Sequence, residues 1–583
     1  MKSLSKKYVL RKNHLLSLVL LLCTFSMVHT QNSTQFTRQQ WLEDLNWVTK
    51  TLRDKHPDIF YRISKDDFER TVAQAEQKIR NSHFEEECLT AIRQVVASLR
   101  DGHTSLNANN LQGYSDIFPV RLYEFTDGIF ITGIAEEHAK YIGSRVIKIG
   151  QLSAEEAFKR AGTLAYADND FYKKEQVPLI VITCKLTYGL GITETAKKLP
   201  LLIETVDGME DEIVLFAVTP TGANNILRGM DIGPEGIPFA SAFTGREKES
   251  PLFLKHLDGN HNYWFEHDNE HKAMYVQFNL IRHQQNESFE KFYQRMFEYF
   301  DYNADNIDKF ILDLRFNDGG NGPMVLPFIN EIIKRENINR LGHLYTLIGR
   351  RSFSAAVLLV AEMMLHTQTL LVGEPTGAAQ NMFSDMVNRG TLPNSGATLF
   401  VSSEYFNIVW PAGKNSIIPP HYPAPFSSSD FFSGADPALE AIFTDGVKAV
   451  ETVLHANGPK PALNFFNEIN YDWGVHKNEL NITPFTFPIS AKYNFESAVN
   501  NMGYDYMNQN KMEEARFAFE LNVKVFPNSF NGWDSYAEYF MRTGDNPAAI
   551  QYYKKSLELN PDNENAVKMI AQLEKMMNME SKQ

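Results

Sequence analysis

Hydrophobic residues recur at helical spacing in three stretches near the start of the chain. Trp41, Leu45, Val48 and Leu52 form one stripe, Phe68, Val72, Ala75 and Ile79 a second, and Leu89, Ile92, Val96 and Leu99 a third. Steps of three and four residues put each set on one helix face. The third stripe stops before Gly102, the type of residue that closes a helix in a left-handed turn. A small helical cap is therefore predicted over residues 31–105. From 106 to 220 the apolar runs shorten to strand length, with one helix among them. Residues 128–132 and 143–150 read as strands, Ser153-Ala154-Glu155-Glu156 as a capping box opening a helix towards Ala161, and 200–216 as a hairpin around Asp207-Gly208. A weakly periodic stretch rich in Gly and Pro, 221–260, predicts a linker or a covering loop. Residues 261–456 then alternate strands (274–278, 310–314, 344–348, 369–372, 398–401) with helices (289–299, 325–334, 355–365), the pattern of α/β layering.

One run organises this core. Phe310, Ile311, Leu312 and Leu314 predict a buried strand, with Asp313 and Arg315 as charges that burial tolerates only when paired or solvated. Asn317-Asp318-Gly319-Gly320-Asn321-Gly322 cannot continue regular structure, and its glycines let backbone N–H groups face a ligand. Alone, it is a strand ending in a turn. Further on, Ser354 opens an almost wholly apolar, hence buried, helix. It reads either as a plain N-cap or as a nucleophile with the helix N-terminus behind it, and Ser352 is its local rival. His103, taken singly, is a turn or surface histidine.

Arg100-Asp101-Gly102-His103-Thr104, the glycine turn, Arg351-Ser352-Phe353-Ser354-Ala355-Ala356 and Gly373-Glu374-Pro375-Thr376-Gly377 follow one another in order. Together they resemble the S41 peptidase family, which includes the tail-specific proteases, the tricorn core and the retinoid-binding relatives. The resemblance spans about residues 40–445. It implies a core of crotonase-like ββα superhelix type at 261–456 and a degenerate PDZ-like module at 106–220. The Gly-Leu-Gly-Phe carboxylate loop of such modules is not evident. It implies cleavage of peptide bonds through an acyl-enzyme, with Ser354 as nucleophile, His103 as base, and an oxyanion hole drawn from the N–H groups of Gly319, Gly320 and Ala355. Residues 373–381 hold no lysine, which disfavours a Ser–Lys dyad; an imidazole, with an ordinary pKa of about 6.5, suits the task. Glu374 and Asp385 are candidates to orient His103, and Asp313 with Arg315 forms a structural pair beside the turn. The chain departs from the tricorn branch twice. Gly102 stands where that branch has a serine before its histidine, and 416–421 lacks the glutamate that precedes a proline. A catalytically silent ligand- or peptide-binding protein on the same fold, or an envelope scaffold, are the alternatives.

After a Pro- and Asn-rich passage at 457–490, Asn510, Ala515 and Pro527 recur as Gly544, Ala549 and Pro561, each 34 residues later. That period is the tetratricopeptide signature and predicts an all-α region over 491–583 that binds a protein partner or caps the core. At 583 residues, with 43% hydrophobic and 22% charged residues, the chain is globular and multidomain. Residues 1–30 carry Lys2, Lys6, Lys7, Arg11 and Lys12, then an apolar run at 15–27, and no acid. This is the pattern of a secretory signal peptide cut after Thr30; an uncleaved anchor, or a lipid on Cys23, is the competing reading. Export implies a periplasmic, cell-envelope or secreted protein with no integral membrane domain after cleavage. A net charge of −14 argues against nucleic acid and anionic membranes as partners. After the leader only Cys88 and Cys184 remain; an exported chain of this size has a core and needs no disulfide framework, and whether the two pair is left open. His261, His267 and His271 lie among acids, but no zinc-binding helix motif accompanies them, and neither metal nor cofactor is expected.

Overall fold

Residues 36–221, 233–257, 260–340, 342–408, 416–443, 458–460, 462–463 and 489–580 are described by the structure, a computed structural model. The leader at 1–30 and most of the passage at 457–490 lie outside them. Helices α1 (Arg38–Lys55), α2 (Lys65–Asn81) and α3 (Glu85–Ala97) open the chain. Their buried faces carry Trp41, Leu45, Val48 and Leu52, then Phe68, Ala75 and Ile79, then Leu89, Ile92 and Val96. Thr37 and Ser64 accept from backbone N–H groups of the first turns of α1 and α2, satisfying donors that the helix leaves free.

Strand β1 (Ser105–Asn107) is followed by β2 (Val120–Phe125), β3 (Gly128–Ala135), β4 (Arg145–Ile149), β5 (Leu152–Ser153), β6 (Lys198–Glu204) and β7 (Glu210–Phe216). β2, β3, β4, β6 and β7 pair antiparallel in that order. One helix is predicted in this stretch and three are present: α4 (Ala154–Gly162), α5 (Asp170–Ile182) and α6 (Cys184–Gly189). Pro178 inside α5 and a nearly continuous apolar run at its end hide the helical period, while Asn169 caps the helix by accepting from Tyr172 N–H at 2.9 Å. The predicted linker also contributes structure, for β8 (Phe239–Ser241) pairs with β3. One hydrophobic core runs through α1–α3 and this sheet, from Leu45, Phe68 and Ile92 to Ile131, Ile149 and Leu201. Cys88 and Cys184 are both buried there as free thiols.

The second body holds β9 (Tyr263–Asp268), β10 (Ala273–Phe278), α7 (Phe289–Tyr302), β11 (Lys309–Asp313), α8 (Val325–Ile333), β12 (Leu344–Ile348), α9 (Ala355–His366), β13 (Leu370–Gly373), β14 (Met382–Thr391), β15 (Thr398–Phe406), β16 (Tyr422–Pro423), α10 (Ser428–Ser433) and α11 (Pro437–Phe443). A six-stranded sheet runs β16-β13-β12-β11-β10-β9 and is parallel except for β9. Alternate residues along its strands go to opposite faces. Met274, Phe310, Leu312 and Leu344 meet α7, α8 and α9, while Tyr275, Ile311, Tyr345 and Leu370 meet α11. β14 has no counterpart among the predicted strands: five of its ten residues are exposed and polarity does not alternate along it. It pairs with β15, and β15 with β1, so the chain just after the His103 turn is tied to the second body.

Helices α12 (Ile489–Asn508), α13 (Met512–Val525), α14 (Phe530–Arg542), α15 (Asn546–Leu559) and α16 (Glu564–Glu580) form the C-terminal array. The repeated alanines 515 and 549 are fully buried, as close helix–helix contact requires.

At the end of β11 Asp313 and Arg315 do pair, at 2.6 Å, and Asp436 adds a second carboxylate at 2.8 Å. The guanidinium also lies over the Phe253 ring at 5.0 Å. Removing one member of a buried ionic group strands the others. Arg315→Met should therefore lower the unfolding free energy by about 3–5 kcal/mol in urea titrations.

Candidate active site

β11 and β12 are adjacent and parallel, so the glycine turn after Asp313 and the turn after Ile348 reach the same sheet edge. Ser354 ends the second turn at φ 53° and ψ −124°, directly before α9. For a residue with a side chain this backbone costs about 1–3 kcal/mol and survives only where its surroundings impose it. The Ser354 side chain makes no capping hydrogen bond, so the plain N-cap reading is excluded. Ser352, the rival, is fully buried and already occupied: it accepts from Gly349 N–H at 3.0 Å and donates to the Leu314 carbonyl at 2.7 Å. It ties the elbow to the end of β11.

The glycine turn presses against this elbow. A Cβ on Gly319 would lie 2.5 Å from Ser354 Cβ and 2.9 Å from Ala355 N; one on Gly320 would lie 2.2 Å from the Ile281 carbonyl oxygen. The three expected oxyanion donors divide. Gly319 N–H already donates to Asn317 Oδ1 at 2.8 Å, which corrects its assignment. Gly320 N–H and Ala355 N–H donate to nothing among the described residues. The bridge to Ile281 uses the groups on either side of Gly320, namely the Gly319 carbonyl at 2.8 Å and Asn321 N–H at 2.7 Å. That leaves Gly320's own N–H turned away from Ile281.

His103 is buried in the turn after α3, its ring stacked on Phe353 with centroids 4.5 Å apart. Phe353 stacks in turn on Tyr172 at 4.2 Å. The residue before Ser354 thus forms the floor under the imidazole. Among the described residues no hydrogen bond joins His103 to Ser354, and neither ring nitrogen of His103 has a partner. Neither candidate acid orients it. Glu374 is held by Arg350 at 2.7 and 3.0 Å, and Asp385 is an exposed residue of β14 at φ 54°. Both are corrections to the expected roles.

The carboxylate nearest in sequence, Asp101, holds the turn instead. Its Oδ1 accepts His103 N–H at 2.9 Å; its Oδ2 accepts from Thr104 Oγ1 at 2.6 Å, Ser402 Oγ at 2.7 Å and His56 Nε2 at 3.0 Å. His56 Nδ1 accepts Asp58 N–H at 3.1 Å, which fixes the neutral Nε2–H tautomer. Burial pushes the Asp101 pKa up, but the His56 hydrogen bond, the neighbouring His103 charge and the Thr104 hydroxyl outweigh it and bring it down to about 2. His56 and Ser402 escape sequence reasoning because they lie 45 residues before and 301 residues after Asp101.

Two further arginines, Arg350 and Arg351, directly precede Ser352. Arg351 is bidentate to Asp318 of the glycine turn at 2.7 and 2.8 Å, while Arg350 also donates to the Glu124 carbonyl at 2.9 Å. Burial weakens each guanidinium's hold on its proton, and the facing carboxylate more than restores it. The histidines set aside as metal ligands have other partners: His267 meets the Tyr299 hydroxyl at 3.1 Å and His271 meets Asp268 at 2.7 Å. Among the described residues no group of three His, Cys, Asp or Glu could hold a metal.

A tetratricopeptide-repeat family model matches residues 530–573. No curated protein matches the sequence. Among solved structures, mature CPAF is similar at 11% identity, with 72% of this chain and 98% of that chain covered and a TM-score of 0.46. The photosystem II D1 C-terminal processing protease is similar at 12% identity over 72% and 98% of the two chains, with a TM-score of 0.30. For the tricorn protease the values are 10%, 70% and 37%, and 0.30. The chemistry of the site rests on its own geometry.

A carboxylate with a lowered folded pKa stabilises the fold above its unfolded pKa and loses that contribution as pH falls through the folded one. Between pH 4 and pH 2, wild type should therefore lose on the order of 2 kcal/mol through Asp101. The Asp101→Asn variant should be less stable at neutral pH and lack this component in acid titrations of unfolding.

Proposed function

We propose that this chain is a serine-type peptidase of the S41 kind, exported to the periplasm, cell envelope or medium. One observation carries the reading: Ser354, strained and uncapped, heads α9 against the glycine turn, where Gly320 N–H and Ala355 N–H donate to nothing among the described residues. Ser354 Oγ attacks a peptide carbonyl while an His103 ring nitrogen takes its proton, and the new oxyanion accepts from the two N–H groups. Such donors contribute about 2.7–4 kcal/mol each to lowering the barrier. Collapse breaks the C–N bond, the imidazolium returns the proton to the leaving amine, and water then cleaves the acyl ester with His103 as base. The stack on Phe353 sets the plane of the imidazole.

The alternation of parallel strands and helices over 261–456 supports a crotonase-like core, and the antiparallel sheet with its helices over 106–220 supports a PDZ-like module. The basic, apolar leader supports export. The C-terminal repeats suit a protein partner. A second reading, a ligand-binding protein without turnover, is favoured by the absence of a carboxylate on the His103 ring among the described residues.

A fluorophosphonate probe tests the proposal on residues 31–583. Labelling should map to Ser354, vanish in Ser354→Ala, and fall at least a hundredfold in rate in His103→Ala. Folded protein that stays unlabelled from pH 5 to 9 would leave the binding reading in its place.

A further inference from the structure

His103 lies in the turn after α3 and Ser354 at the head of α9, so the contacts between the two bodies decide how one stands to the other. One such contact comes from a residue outside every motif. Asp168, in the segment between α4 and α5, is 1% exposed. Its Oδ1 accepts the N–H of Gly102, the residue directly before His103, at 2.8 Å, and its Oδ2 accepts Ala379 N–H at 3.1 Å. The Arg62 guanidinium pairs with Oδ1 at 3.0 Å and donates to the Arg100 carbonyl at 2.8 Å, where the backbone enters the turn at φ 53°.

The second oxygen leads to the elbow. Gly377 N–H, two residues before Ala379, donates to the Ser352 carbonyl at 3.0 Å, and Ser352 stands two residues before Ser354. Asn169, next to Asp168, holds the same loop by donating from Nδ2 to the Thr376 carbonyl at 3.0 Å. Tyr172 follows at the start of α5. It backs the Phe353 ring and packs on Gly377, where a Cβ would lie 2.8 Å from it. Gly102 rests against the same phenylalanine, since a Cβ there would lie 2.6 Å from Phe353 Cζ. One short segment, 168–172, therefore touches the His103 turn, the loop behind the elbow and the ring that carries the imidazole. A carboxylate is a strong acceptor for buried amides, and no other acceptor serves either N–H among the described residues. Asp101 fixes the amide of His103 itself; Asp168 fixes the amide before it and joins the turn to the body that carries Ser354.

We infer that Asp168 is a positioning residue of the candidate site, holding the His103 imidazole at the Ser354 elbow through the Gly102 and Ala379 amides. That this hold serves hydrolysis rests on the peptidase reading; the hold itself does not.

The test uses the full chain with Asp168→Asn, which keeps the side-chain shape and one acceptor oxygen but turns an NH2 group towards the other amide. The first readout needs no chemistry at the site. It is slow deuterium exchange at Cε1 of each imidazole, resolved by mass spectrometry of peptides. His103 should exchange about threefold faster in the variant, through local opening of its turn. His421, buried where its Nδ1 accepts Leu371 N–H, should keep its wild-type rate. The second readout is fluorophosphonate inactivation. Its limiting rate should fall about tenfold with the half-saturating probe concentration unchanged, because a base is displaced and binding is not. Asp168→Glu, which keeps the charge but moves it by one methylene, is read in the same way and serves if Asp168→Asn does not fold. Unchanged exchange at His103, acceleration of His103 and His421 together, or an undiminished limiting rate would overturn the positioning role. Selective acceleration at His103 in a protein whose wild type is never labelled would retain the hold and remove the hydrolase.

Discussion

Close approach of two backbone turns governs this structure. Parallel pairing of β11 and β12 brings the glycine turn and the Ser354 elbow to one sheet edge, and there is no room between them for a Cβ at Gly319. Glycine at 319 and 320 is therefore a steric requirement of the contact, and the contact in turn holds Ser354 at a backbone conformation it would not otherwise adopt. Ser352 locks the same junction from inside by bridging Gly349 and Leu314.

Around this junction, charge is handled by pairing rather than by exposure. Arg315 is clamped by Asp313 and Asp436, Arg350 by Glu374, and Arg351 by Asp318, each within a buried or half-buried setting. Such groups bring little net stability, since desolvation offsets most of their attraction, but they forbid alternative arrangements that would leave a charge unpaired. Each clamp joins segments that are distant in sequence or on separate strand ends, so the geometry of the edge is over-determined. Asp101 does the same for the His103 turn, with donors arriving from three separate segments.

Much of the scaffold was legible in the sequence. The stripes at 41–52, 68–79 and 89–99 became buried helix faces, and the apolar runs at 310–314 and 344–348 became central strands, because amphipathic period and local burial are local properties. Elements whose pattern is set by neighbours were missed. β14 is polar and half exposed, and is a strand because β15 supplies its partners; α5 carries a proline that local rules read as a break. Among site residues composition does not separate Ser352 from Ser354, whereas their hydrogen bonds differ: Ser352 Oγ is engaged by Gly349 and Leu314, and Ser354 makes no capping bond. Glu374 and Asp385 lie close in sequence to a motif, but their surroundings are an arginine and an exposed strand.

By itself the sequence determined where helices and strands can form, that a glycine turn follows a buried strand, that a serine heads an apolar helix, and that a 34-residue repeat ends the chain. These follow from side-chain period and from the backbone freedom of glycine, which act within a few residues. Only the tertiary structure decided which backbone donors are free among the described residues and which carboxylate braces the His103 turn. Hydrogen-bond satisfaction and burial are properties of groups brought together from distant parts of the chain, and no local pattern encodes them.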